Sequence, residues 1–253
     1  MRLVSRAAMF VTFLAFVPSL AALLMLPGCN ATAPAAKGPD AIFLAAEYPT
    51  LHLESLAYLG LASLQPDPIG PTTVDGLLQS YLTGGQQKFL VIDESTCRLR
   101  ARQAGLESDL DAIIKVWKDK HTVERFGLKR LGEKIGIDGI ILGDLTQWRT
   151  EQVDWQSEGN SFTEVGVTLS IFDAKTGILA WKGERVEHRE SAHYRHGQGV
   201  GTGTYQQPGG GGTERTTRPN DIAPKPPDPK EVAETVVLSL VDGLPDKPGV
   251  KKP

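Results

Sequence analysis

Cysteine is almost missing from this chain of 253 residues, which holds only Cys29 and Cys97. Two cysteines cannot build a framework of bridges, so stability has to come from a packed core. Cys97 reads as a small buried apolar residue rather than a reactive thiol. A basic excess is missing too: 27 Lys and Arg stand against 30 Asp and Glu, a formal charge of −3. A mildly acidic chain is poorly suited to nucleic acid or to anionic lipid surfaces. The motifs that announce common chemistries are also absent, with no nucleophile elbow, Walker loop, HExxH or paired CxxC. The glycine-rich stretch GQGVGTGTYQQPGGGG (197–212) contains GxGxG, yet it follows no clear strand and opens no helix. A phosphate cradle needs backbone amides aimed by both, so a flexible loop is the better reading.

What chemistry remains is sparse. HRESAHYRH brings His188, His193 and His196 together, the last two in HxxH spacing. Zinc or copper would need a third or fourth ligand in fixed geometry, and a solvated strand end is the plainer reading. Asp93 and Glu94 follow a strand-like segment and Asp144 lies within another, the acids best placed for general acid or base work. Asp93 is more simply a helix cap and Asp144 a hydrogen-bonded strand residue. The expectation is therefore no enzyme, no catalytic residue, no metal site and no cofactor.

A long apolar run is present once, at the start. Arg2 and Arg6 precede Ala7 to Leu26, the order of parts in a signal peptide. These twenty residues, almost all apolar, can also span a bilayer, so a permanent membrane helix is the competing reading. Leu26, Pro27, Gly28 and Cys29 then resemble the lipobox of bacterial lipoproteins, with Pro27 in place of the commoner Ala or Ser. That resemblance implies cleavage before Cys29 and acylation of its thiol. Two or more acyl chains anchor a protein stably, since each buried methylene contributes about 0.8 kcal/mol. Asn30, rather than Asp, follows the cysteine, which by resemblance to the lipoprotein sorting rule implies the outer membrane. Loss of residues 1–28 removes Arg2 and Arg6 and no acid, taking the formal charge to −5.

Beyond the cysteine, residues 29–40 read as a lipidated tether and 41–196 as one α/β domain. Residues 197–227 are too rich in Gly and Pro, and too poor in apolar side chains, to offset the entropy of ordering. Residues 228–245 form a predicted helix returning to the domain, and 246–253 a disordered tail. Within the domain, LAYLGLASL (56–64) has the continuous apolarity of a strand covered on both faces. Thr72 or Thr73 is the predicted cap of a helix striped by Val74, Leu77, Leu78, Tyr81 and Leu82 and ended by Gly84-Gly85. A short strand is expected at Phe89 to Ile92, then a helix capped by Asp93. A second helix is expected behind a box-like Ser108 and Asp111, with Leu128, Leu131 and Ile135 continuing helical spacing. IILGDL (140–145) opens a strand. Within Thr163 to Phe172, Val165, Val167, Leu169 and Ile171 alternate with Glu164, Gly166, Thr168 and Ser170, and DAKTG (173–177) turns the chain into a partner strand from Ile178. Asp228, Pro229 and Glu231 mark the start of the last helix.

Two phrases in this order of elements carry a family likeness. LKRLGEKIGIDGIILGDLTQW (128–148) resembles the helix-then-strand passage of a group of bacterial envelope lipoproteins, and VTLSIFDAKTGILAWKGE (167–184) resembles their hairpin. The group includes the curli secretion subunit, lipoprotein activators of penicillin-binding proteins, the amino-terminal domain of the Tol translocation protein and small neisserial surface lipoproteins. The resemblance implies a single-domain α/β fold with a mixed sheet of three to five strands, a long antiparallel hairpin and helices packed on the sheet. Trp181 would be a packing residue. It further implies an outer-membrane lipoprotein facing the periplasm, held through lipid on Cys29, that binds and regulates another envelope protein and tends to form homo-oligomers. The alternative is a subunit of a curli-type secretion channel, for which Gln147 to Gln156, with Trp148 and Trp155 near its ends, is the candidate membrane-crossing strand.

Overall fold

The computed structural model describes residues 38–63, 65–84, 88–154, 158–193 and 224–248. Cys29, the lipobox, the apolar run 7–26 and the glycine-rich 197–212 lie outside the described residues. Ala36–Pro253 forms one compact unit. Its centre is a six-stranded mixed sheet: β1 (Ala41–Leu44), β2 (Ser55–Ser63), β3 (Leu90–Ile92), β4 (Gly139–Glu151), β5 (Phe162–Asp173) and β6 (Leu179–Glu190), ordered β1-β6-β5-β4-β2-β3. β2 runs parallel to both β3 and β4, and the pairs β4–β5, β5–β6 and β6–β1 are antiparallel. This is the expected α/β class, with one strand more than the sequence pattern indicates. The addition is β1, four residues too short to show a period.

Two apolar clusters lie on opposite faces of the sheet. Leu56 and Tyr58 of β2 and Val165, Val167, Leu169 and Ile171 of β5 face α1 (Ile69–Thr83) and α5 (Pro229–Asp242). Ala57 and Leu59 of β2, with Ile140 and Leu142 of β4, face α2 (Glu94–Gln103), α3 (Glu107–Lys120) and α4 (Arg125–Ile135). Being covered on both sides is why β2 reads as an unbroken apolar run. The other half of the β5 alternation lies on the second face, where Thr168 and Ser170 are buried and Glu164 is half-buried.

Local chemistry sets the ends of the elements. The Asp93 carboxylate accepts the Thr96 N–H at 2.6 Å, and Glu124 accepts those of Phe126 and Gly127, each capping its helix. Asp228 does the same for Lys230, with Pro229 in the first turn. Gly136 closes α4 in the left-handed region at φ +71°, where a side chain is strained. In the hairpin turn the Asp173 carboxylate accepts from the Thr176 N–H and hydroxyl.

Two expected caps are corrected. α1 starts at Ile69, not behind Thr72 or Thr73; Asp67 accepts the Ile69 N–H, and the Thr72 hydroxyl, already inside the first turn, donates to the Pro68 carbonyl. α3 begins after Leu106 with no side-chain cap, and Asp111 binds Arg98 instead.

Candidate interaction surface

The acids singled out in the sequence separate on folding. Asp93 is a cap, and hydrogen bonds from the Thr96 backbone, the Thr96 side chain and Ser95 hold its carboxyl below the usual range. Glu94 turns toward the carboxyl end of β2. There Gly60, at φ +99°, leaves room for it: a Cβ on Gly60 would stand 3.3 Å from Glu94 Oε2 and 3.8 Å from Asp75 Oδ1. The Tyr58 hydroxyl donates to Asp75 Oδ1 at 2.6 Å. Burial raises the Asp75 carboxyl, with Glu94 adding to the rise and the Tyr58 hydrogen bond and Lys118 opposing it. Glu94 is also paired with Arg98, which reaches Asp111. The group lies at a topological switch point, since α1 leaves β2 toward one face and α2 leaves β3 toward the other. Its polar atoms are largely committed to one another.

Asp144 pairs with His121 Nδ1 at 2.8 Å. His121 caps α3 at φ +52°, the left-handed region, and its ring meets Trp117 edge-on. Trp117 in turn donates its indole N–H to the Gly143 carbonyl at 3.0 Å. Burial raises the Asp144 carboxyl, and His121 and Lys182 counter it. The pair ties the end of α3 to β4, so of the three singled-out acids Asp93 is a cap and Glu94 and Asp144 join different clusters.

The three histidines do not form a ligand set in the described residues. His188 stacks on Phe162 at a centroid distance of 4.9 Å, between Glu164 at 4.0 Å and Glu190 at 3.3 Å. His193 Nδ1 sits 2.9 Å from Asn160 Oδ1, and His196 lies outside the described residues. Cys97 is fully buried, which pushes its thiol up to about 12. Trp181 is 1 % exposed and lies over Gly183, a packing residue.

What the fold presents outward is a strip of sheet. On the second face of the β4–β5–β6 half, Arg149, Lys182, His188 and Glu190 are exposed, and Arg149 lies over the Phe162 ring at 5.0 Å. The strip ends at β1, paired with β6 on one side only, where Ile42, Phe43 and Leu44 are 57 %, 49 % and 49 % exposed. Just before β1, Asp40 accepts from Arg185 Nη1 at 2.6 Å and from the Val186 N–H at 2.9 Å, and Pro39 packs at Gly243. Arg185 is nearly buried, with Glu187 as its other partner. The end of the expected tether is thus fixed to the body beside its most apolar edge. The sequence reading misses this edge because four apolar residues after a proline-rich tether look like the start of a core.

Among the described residues no helix is long and apolar enough to cross a membrane, and no group of three or more His, Cys, Asp or Glu is placed to hold a metal ion. No family model and no curated protein matches the chain. Among solved structures, a lipoprotein of Neisseria meningitidis is 19% identical, covering 57% of this chain and 88% of its own, with a TM-score of 0.39. A PelC dodecamer from Paraburkholderia phytofirmans is 11% identical over 77% of this chain and 89% of its own, at 0.39. The LpoB C-terminal domain from Salmonella enterica is 11% identical over 54% and 84%, at 0.33. Similarity at this level brings no property of those proteins to this chain.

Proposed function

We propose that this chain is an outer-membrane lipoprotein, facing the periplasm and anchored through Cys29, that acts without catalysis by binding and regulating another envelope protein. The observation that carries the binding role is the outward strip of sheet, polar and aromatic on its face and apolar along its β1 edge. The lipobox-like Leu26-Pro27-Gly28-Cys29 carries the anchor. Asp40 and Pro39 support it further, because they hold the chain leaving the expected tether at one point on the body.

The curli-type channel reading asks Gln147 to Gln156 to cross a membrane with an apolar side facing lipid. Against it, Trp148 lies under α1, so close that a Cβ on Gly70 would stand 2.6 Å from its ring. Arg149 and Glu151 pair with each other on the exposed face. Trp155 lies outside the described residues.

The test is in-cell photocrosslinking from positions 149 and 188 of the full chain, with position 99 on α2 as control. One envelope protein captured from 149 and 188 and not from 99 is the expected result. Equal capture from all three, or none, contradicts the reading.

A further inference from the structure

We infer that β1 is a self-pairing edge, at which two copies of this chain join β1 to β1 antiparallel and continue the sheet across a twofold axis. Three observations lead there. Edge strands in monomeric proteins are blunted by shortness, charge, proline, a bulge or a cover. Ala41–Leu44 is short, but AIFL has no charge and no proline, its register with Glu184, Gly183, Lys182 and Trp181 is unbroken, and among the described residues its three large side chains are exposed. Of the seven large apolar side chains exposed among the described residues, three are consecutive here, while Ile69, Leu90, Leu99 and Phe126 are scattered.

The side chains also match themselves. Ile42 and Leu44 point to one face and Phe43 to the other. An antiparallel pairing centred on Phe43 sets Ile42 against the second copy's Leu44 on one face and the two Phe43 rings side by side on the other. A twofold axis normal to the sheet keeps the faces in register, so the contact is closed and self-complementary.

The tether decides the occupant. A bilayer is a poor cover, because a sheet edge with free N–H and C=O groups is not tolerated in hydrocarbon. Residues 29–37, nine counting Cys29 itself, precede the described body, and even fully extended they reach only about 30 Å. Resting on the lipid-anchor reading, this holds every copy's β1 near the same height over one membrane, in a layer where the commonest matching edge is another copy.

The experiment is disulfide trapping with the full chain in its own membranes. Ile42→Cys, Phe43→Cys and Leu44→Cys are compared with Ile69→Cys, exposed on α1. Paired residues in antiparallel strands bring their Cα atoms within disulfide range. Strong homodimer trapping by F43C, little by I69C, and a twofold fall in mass for F43E in mild detergent, with unchanged far-ultraviolet circular dichroism, are expected. No trapping at any of the three positions, or trapping to a different protein, overturns the pairing. The lipid state of Cys29 is read on the same samples by mass. Trapping without lipid would sink the anchor alone, and lipid without trapping would sink the pairing alone.

Discussion

Asp75 is the residue whose cost is most exposed to measurement. Its carboxyl is raised by burial first and by Glu94 second, so the folded state holds the proton more tightly than the unfolded chain does. The sign follows directly. Between the unfolded carboxylate pKa and the raised folded value, the folded state binds more protons, so stability falls as pH rises through that window. Above that window the buried charge on Asp75 is a net burden. Asp75→Asn keeps an acceptor for the Tyr58 hydroxyl and removes the charge. Urea unfolding should show the variant more stable than the parent at pH 7, with the gain shrinking toward pH 4. Equal stability at both pH values would contradict the assignment. None of this was legible in the chain, because Tyr58 sits inside an apolar run and Asp75 on a helix that shows only its stripe. Asp75 and Glu94 also meet close to Gly60, whose positive φ shows only in the fold. His121 was hidden for a similar reason: it closes α3 at a left-handed φ and pairs with Asp144 on β4, a contact that no local spacing announces.

At the scale of elements, caps divide what sequence can and cannot show. Asp93 and Asp228 have the residue type and spacing that local hydrogen bonding demands and make the expected bonds, and the DAKTG turn has Gly177 at positive φ. Thr72 has the right type and is not a cap, because Asp67 and Pro68 start α1 a turn earlier. The two cases predict different costs. Asp93→Ala should lower stability by about 1 kcal/mol, while Thr72→Ala should stay within about 0.5 kcal/mol of the parent, both read from denaturant midpoints at constant slope. A larger loss at Thr72 than at Asp93 would reverse the helix starts described here. The hairpin β5–β6 was the easiest element to foresee, since Val165, Val167, Leu169 and Ile171 alternate onto one apolar face, although Thr168 and Ser170 on the polar face are buried as well. β1 was the hardest: only the pairing with β6 and the hold of Asp40 on Arg185 make a strand of it.

At the scale of the whole molecule, the three-layer body explains why the chain reads as rich in apolar periodicity and poor in chemistry. Both faces of β2 are spent on packing, one against α1 and α5 and the other against α2, α3 and α4. Asp75 and Asp144 are tied to Tyr58 and His121, and among the described residues the sheet turns outward a strip of its second face and its β1 and β3 edges. The fold class was legible because periodicity survives without an alignment. The use of the strip was not, because a surface that binds carries no fixed spacing of residue types. The account stands or falls on where that body is held. The most direct measurement is the intact mass of the protein isolated from membranes with its native processing. The account predicts a chain that begins at Cys29 and carries two or more acyl groups on that residue. A chain that keeps residues 1–28, with Cys29 unmodified, would contradict it.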